Sequence, residues 1–76
     1  MSKAKTVGEL KPGERGTICC FKDDTLSLKL LDMGCLPGTT VEMKFCAPLG
    51  DPICIGVEGY SLLLRRAEAN TISLVN

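Results

Sequence analysis

Proline and glycine punctuate this chain at intervals that leave little room for long helices. Pro12-Gly13, Gly34, Pro37-Gly38, Pro48, Gly50, Pro52 and Gly59 break it repeatedly. Between Gly34 and Gly59 each uninterrupted stretch suits one strand, whose usual length is about 5–6 residues. Lys11-Pro12-Gly13-Glu14 and Leu36-Pro37-Gly38-Thr39 carry Pro and Gly at the central positions of a four-residue turn. Pro presets a negative φ there and Gly accepts a positive one, so both segments are expected to reverse the chain.

Apolar alternation fills the gaps. Residues 6–10 suit one N-terminal turn. Residues 17–22 read as a strand, with Ile18 and Cys20 on one face and Cys19 and Phe21 on the other. Asp23 or Asp24 suits an N-cap. Over 25–33, Leu26, Leu30 and Met33 recur at helical spacing, Leu31 widens the stripe, and Leu28, Lys29 and Asp32 fall outside it. Gly34 then suits the left-handed position beyond a helix end. Residues 40–47 form the clearest strand, with Val41, Met43 and Phe45 facing one way and Glu42, Lys44 and Cys46 the other. Ile53, Ile55 and Val57 repeat the pattern, with Cys54 and Glu58 outward, and the two strands are expected to pair as a hairpin. Gly59 turns the chain into a strand at 60–64, a helical turn follows at 66–70, and a last strand covers 71–75. About five strands with one short inserted helix are too few for two large sheets. Closure into a small bent barrel hides their edges, so the expected fold is mostly β, an SH3-like barrel formed as one domain over 1–76.

A chain of 76 residues buries only about 60% of its unfolded surface, so its core is small. Lysine plus arginine equals aspartate plus glutamate, nine each. That balance argues against a nucleic-acid partner held by phosphate neutralisation and against a polybasic membrane anchor. The basic start is not followed by an apolar leader segment, and no apolar run approaches the roughly 20 residues of a membrane span. A cytoplasmic protein without direct membrane insertion is expected.

There is no histidine and there are five cysteines: Cys19, Cys20, Cys35, Cys46 and Cys54. The first fact rules out Cys2His2 zinc sites and Ser-His-Asp triads built from this chain alone. The odd thiol count suits free cysteines in a reducing compartment. A hairpin symmetric about Gly50 would set Cys46 and Cys54 opposite each other on its outer face. They are therefore the metal candidates, although a metal usually takes about four ligands. Cys20 reads as core, and Cys19 and Cys35 have no evident partner. Asp23 and Asp24 read as caps, and Asp51 as a loop-bonding residue. Arg65-Arg66 suits either a salt bridge with Glu68 or Glu58 or a partner contact. No nucleophile–base pair or phosphate loop is present, so no enzyme activity is expected. The flank of the helix, with Leu28 beside Lys29, is the surface best suited to a protein contact.

Taken together, Leu30, Met33-Gly34, Pro37-Gly38, then Ala47-Pro48-Leu49-Gly50-Asp51-Pro52, then 62–66 with Glu68-Ala69, resemble the ferrous iron transport protein A family (FeoA). The resemblance runs from about Leu10 to Leu74. It implies an SH3-like, cytosolic accessory of bacterial Fe(II) uptake that docks on the cytoplasmic GTP-binding domain of the ferrous iron transporter FeoB. The partner-facing residues expected from the helix are Leu28, Lys29, Leu30, Asp32 and Met33, with Leu30 and Met33 also anchoring the helix on the barrel. No cofactor is expected to be required. The alternative is an SH3-like domain that binds or senses a transition metal, Fe(II) or Zn(II), through thiols. The same barrel also serves as the C-terminal module of iron-dependent repressors, but no helix-turn-helix is legible here.

Overall fold

A computed structural model describes residues 5–75. Five strands form one antiparallel sheet: β1 (Arg15–Phe21), β2 (Thr40–Cys46), β3 (Ile53–Val57), β4 (Tyr60–Leu64) and β5 (Ile72–Leu74), in the order β4-β3-β2-β1-β5. Helix α1 (Asp24–Asp32) is inserted between β1 and β2, and the short α2 (Arg66–Ala69) joins β4 to β5. A 3₁₀ turn at Val7–Glu9 packs on α2 and β5. The fold is the expected SH3-like one, but β4 and β5 remain separate outer strands, so the sheet does not close into a hydrogen-bonded ring.

The punctuation works as the sequence indicates. Glu14 N–H donates to the Lys11 carbonyl (2.8 Å) and Thr39 N–H to the Leu36 carbonyl (3.0 Å), closing both Pro-Gly turns. Glu58 and Gly59, both at positive φ, form the two-residue link between β3 and β4, the conformation that matches strand twist. Every strand contributes to one core: Ile18, Val41, Met43, Ile53, Ile55, Val57, Leu64 and Ile72 are fully buried together with Val7, Leu30 and Cys35. Each large aliphatic side chain so removed from water contributes about 1.5–3 kcal/mol.

Strict alternation fails in β1 and in β2 for the same reason. Between Ile18 and Cys20 the β1–β5 register advances two residues on β1 and one on β5. Cys19 is the extra residue of a β-bulge, and the inside–outside alternation restarts after it. Ile18 is buried, Cys19 and Cys20 are both exposed, and Phe21 packs on the core. Cys20 is therefore not a core residue. The second bulge lies between Met43 and Phe45, opposite Ile55 and Cys54. It turns Phe45 outward, 54% exposed, rather than in line with Val41 and Met43. It also shifts the hairpin by one residue. Cys46 pairs with Ile53 and Cys54 with Phe45, so the two thiols are not opposite. Independently of the bulge, Cys54 is buried rather than outward, as are Ile53 and Ile55 on either side of it.

Candidate functional site

Helix α1 and its exit turn are held at both ends by hydrogen bonds. Asp23 caps its start: Oδ1 accepts from the N–H groups of Thr25 (2.8 Å) and Leu26 (3.0 Å), two donors that a helix leaves unpaired. At the other end Cys35 N–H reaches back to the Leu30 carbonyl (3.0 Å) and Gly34 N–H to the Leu31 carbonyl (3.0 Å). That pair of bonds is the Schellman arrangement. Gly34 sits at φ +98°, and a Cβ there would lie 1.8 Å from the Tyr60 hydroxyl oxygen. The Tyr60 hydroxyl occupies that space and donates to the Met33 carbonyl at 3.2 Å. The helix exit is thus fastened to β4.

The five expected partner-facing residues divide. Leu30 is fully buried and anchors the helix; it offers no surface to a partner. Met33 is half-buried and packs on the core. Leu28 is 71% exposed, and Asp32 is exposed as well. Beyond the exit, Leu36 is half exposed.

Lys29 is exposed but not free: its ammonium pairs with Glu68 Oε2. The other carboxylate oxygen of Glu68 accepts the Arg65 N–H at 3.0 Å. The Lys29 hydrogen bond first, and the Arg65 N–H second, hold the Glu68 carboxyl below the ordinary carboxylate range. The ion pair of Glu68 is therefore with Lys29, not with the guanidinium of Arg65 or Arg66.

Arg66 makes no ion pair among the described residues. Its guanidinium spans three segments, donating from Nε to the Gly50 carbonyl (2.8 Å), from Nη1 to the Gly8 carbonyl (2.5 Å) and from Nη2 to Cys46 Sγ (3.3 Å). Its own N–H donates to Asp51 Oδ1 at 3.0 Å. Arg66 is a clamp between the β2–β3 loop and the 3₁₀ turn. Arg65, by contrast, is exposed and lies 4.0 Å from Asp51 Oδ2.

The thiols do not gather into a site of three or more ligands among the described residues. Cys35 is buried in the core, and burial pushes its pKa up. Cys46 is engaged by Arg66. Among the described residues no three His, Cys, Asp or Glu side chains are placed to hold one metal ion. A shallow depression of about 340 Å³ borders β2, β3 and β4, lined by Arg15, Glu42, Lys44 and Tyr60 among others. Its charges compensate one another, with Glu42 3.5 Å from Arg15 and 3.6 Å from Lys44.

The FeoA domain model matches residues 5–75. The chain belongs to the FeoA domain family. FeoA is linked to ferrous iron transport, and a similar protein from Porphyromonas gingivalis (strain ATCC BAA-308 / W83) is an Fe(2+) transport protein A/Fe(2+) transporter FeoB fusion protein. The two are 32% identical over 69 residues, 90% of this chain but only 8% of that relative's length. A FeoA-like protein of Clostridium acetobutylicum, solved by NMR, is 32% identical, with a TM-score of 0.87 over 99% of this chain and 88% of its own. The FeoA of Stenotrophomonas maltophilia, solved with zinc and described as a procaryotic SH3 domain protein, is 25% identical, with a TM-score of 0.81 over 95% of this chain and 91% of its own. No helix of the described residues is long and apolar enough to cross a membrane.

Several contributors to the site escaped a reading of the sequence: Tyr60, Glu68 as the partner of Lys29, and Arg66 as a clamp. Each meets its partner across at least 16 residues of chain, beyond the reach of local periodicity.

Proposed function

We propose that this FeoA-family chain is a cytoplasmic, non-enzymatic accessory of bacterial Fe(II) uptake, with 1–76 as one domain, that docks on the cytoplasmic GTP-binding part of the transporter FeoB. The observation that carries the proposal is the Porphyromonas gingivalis relative, in which the two partners share one polypeptide. The docking surface is the outer flank of α1 with its exit turn. Leu28 and Leu36 supply apolar area there, Asp32 supplies charge, and Leu30 and Met33 hold the helix in place from beneath. Exposed apolar groups beside polar ones are the usual composition of such a contact. Lys29 contributes through its Glu68 ion pair, which ties α1 to α2.

The test is an amide-shift NMR titration of the reduced, metal-free protein with the soluble GTP-binding domain of its transporter, with and without a GTP analogue. Shifts clustering over 27–36 support the proposal. No shift under either condition refutes docking on that domain.

A second reading, thiol-held Fe(II) or Zn(II), draws on the zinc complex of the Stenotrophomonas protein. The register that separates Cys46 from Cys54 weighs against those two ligands. A Co(II) titration without a thiolate-to-metal absorption band removes this reading.

A further inference from the structure

The bulge in β1 produces a feature that regular strand geometry forbids. Consecutive residues of a strand point to opposite faces, yet Cys19 and Cys20 are both exposed on the same stretch, with their sulfurs 2.7 Å apart. No disulfide joins them, and the bulge leaves the two free thiols side by side on one surface. The other thiols are not available as such a pair: Cys35 and Cys54 are buried, and Cys46 is held by Arg66.

We infer that Cys19 and Cys20 form a two-thiol chelating site for a trivalent thiophilic metalloid of the arsenite class. The choice of ligand rests on the number of donors within reach. A tetrahedral zinc needs about two further ligands, which the described residues do not bring to this site. A linear two-coordinate soft ion places its sulfurs on opposite sides rather than side by side. A pyramidal trivalent arsenic centre, with bond angles near a right angle, is satisfied by two thiols and one hydroxyl. The condensation balances without an oxidant: two S–H and two As–O bonds break, two As–S bonds form, and two water molecules leave. The Cys20 hydrogen bond raises the Cys19 pKa. A protonated thiol is a poor nucleophile toward peroxide, but its proton is used up in the water released here. The site lies beside the Asp23 cap of α1 in the chain, and it is independent of the docking proposed above.

The test is intact-mass spectrometry of the full, reduced protein with one equivalent of phenylarsine oxide, with inorganic arsenite as a second probe and a free-thiol count in parallel. The expected result is one phenylarsenic adduct with loss of one water and two titratable thiols, unchanged in the Cys46→Ser/Cys54→Ser double variant. Cys19→Ser or Cys20→Ser alone should weaken binding of either probe by on the order of 100-fold, because the second contact is then lost from the same molecule. Both substitutions are at exposed positions, and circular dichroism checks their folding. Equal adduct formation in either single variant, a loss of only one thiol, or no arsenite binding by the unaltered protein overturns the assignment.

Discussion

Glu68 binds Lys29 with one carboxylate oxygen and the Arg65 N–H with the other, so one side chain joins the flank of α1 to the first turn of α2 across 39 residues of sequence. The Lys29 side chain is 59% exposed while that of Glu68 is only 13% exposed. Solvent therefore screens the ammonium end, and the pair contributes no more than a surface bridge, about 0.2–1 kcal/mol.

The depressed Glu68 pKa fixes the sign of a pH effect. A carboxylate whose folded pKa lies below its unfolded value stabilises the fold above that unfolded value, about 4.3, and loses the contribution as pH falls through the folded pKa. Glu68→Gln should lower stability modestly at neutral pH and flatten the acid limb below about pH 4.3. Lys29→Ala should reproduce only part of this change. Urea unfolding of the three proteins from about pH 2.5 to about pH 7, across the carboxylate range, checks it, and parallel acid limbs would exclude the pairing.

Leu30 is the buried anchor of the helix. Leu30→Ala should cost about 2–5 kcal/mol, measured as a lower denaturation midpoint at constant slope. Leu28→Asp, on the exposed side of the same helix, should stay within about 0.5 kcal/mol of the unaltered protein while weakening the shifts induced by the transporter domain.

Gly34→Ala combines a left-handed backbone, about 1–2 kcal/mol for a residue with a Cβ, with a collision on the Tyr60 hydroxyl. Tyr60→Phe should therefore lessen the penalty of Gly34→Ala. Strict additivity of the two substitutions in a double-mutant cycle would show that the hydroxyl does not occupy that space.

Arg66→Met should cost roughly 1.5–3 kcal/mol, the scale of hydrogen bonds made by a charged group. Arg66→Lys should recover little of it, since an ammonium cannot reach three acceptors as a planar guanidinium does. Arg65→Met, at an exposed position, should be near neutral. Equal effects at the two positions would rule out the clamp.

The devices legible in the sequence were local ones. Pro-Gly turns, the Asp23 cap, the Leu26–Leu30–Met33 stripe and the left-handed Gly34 each depend on a few neighbouring residues, and each stands where the pattern puts it. The bulges at Cys19 and Lys44 did not show, because a single inserted residue leaves the composition of a strand unchanged while reversing every side chain beyond it. That reversal moved Cys20 and Phe45 to the surface and drew Cys46 and Cys54 out of register. Of the site, the exposed flank at Leu28 was readable from periodicity. The fastening by Tyr60, Glu68 and Arg66 was not, since it depends on contacts between segments distant in the chain.

Thr6 bridges Ser73, and Leu74 N–H donates to the Lys5 carbonyl at 2.9 Å, so the two ends of the described chain lie side by side on one seam. A polypeptide grafted before Lys5 or after Val75 would leave the domain from nearly the same point. The domain can thus be hung from a larger protein by either end, in the manner of a pendant on a single hook, with its presented surface kept at nearly the same reach.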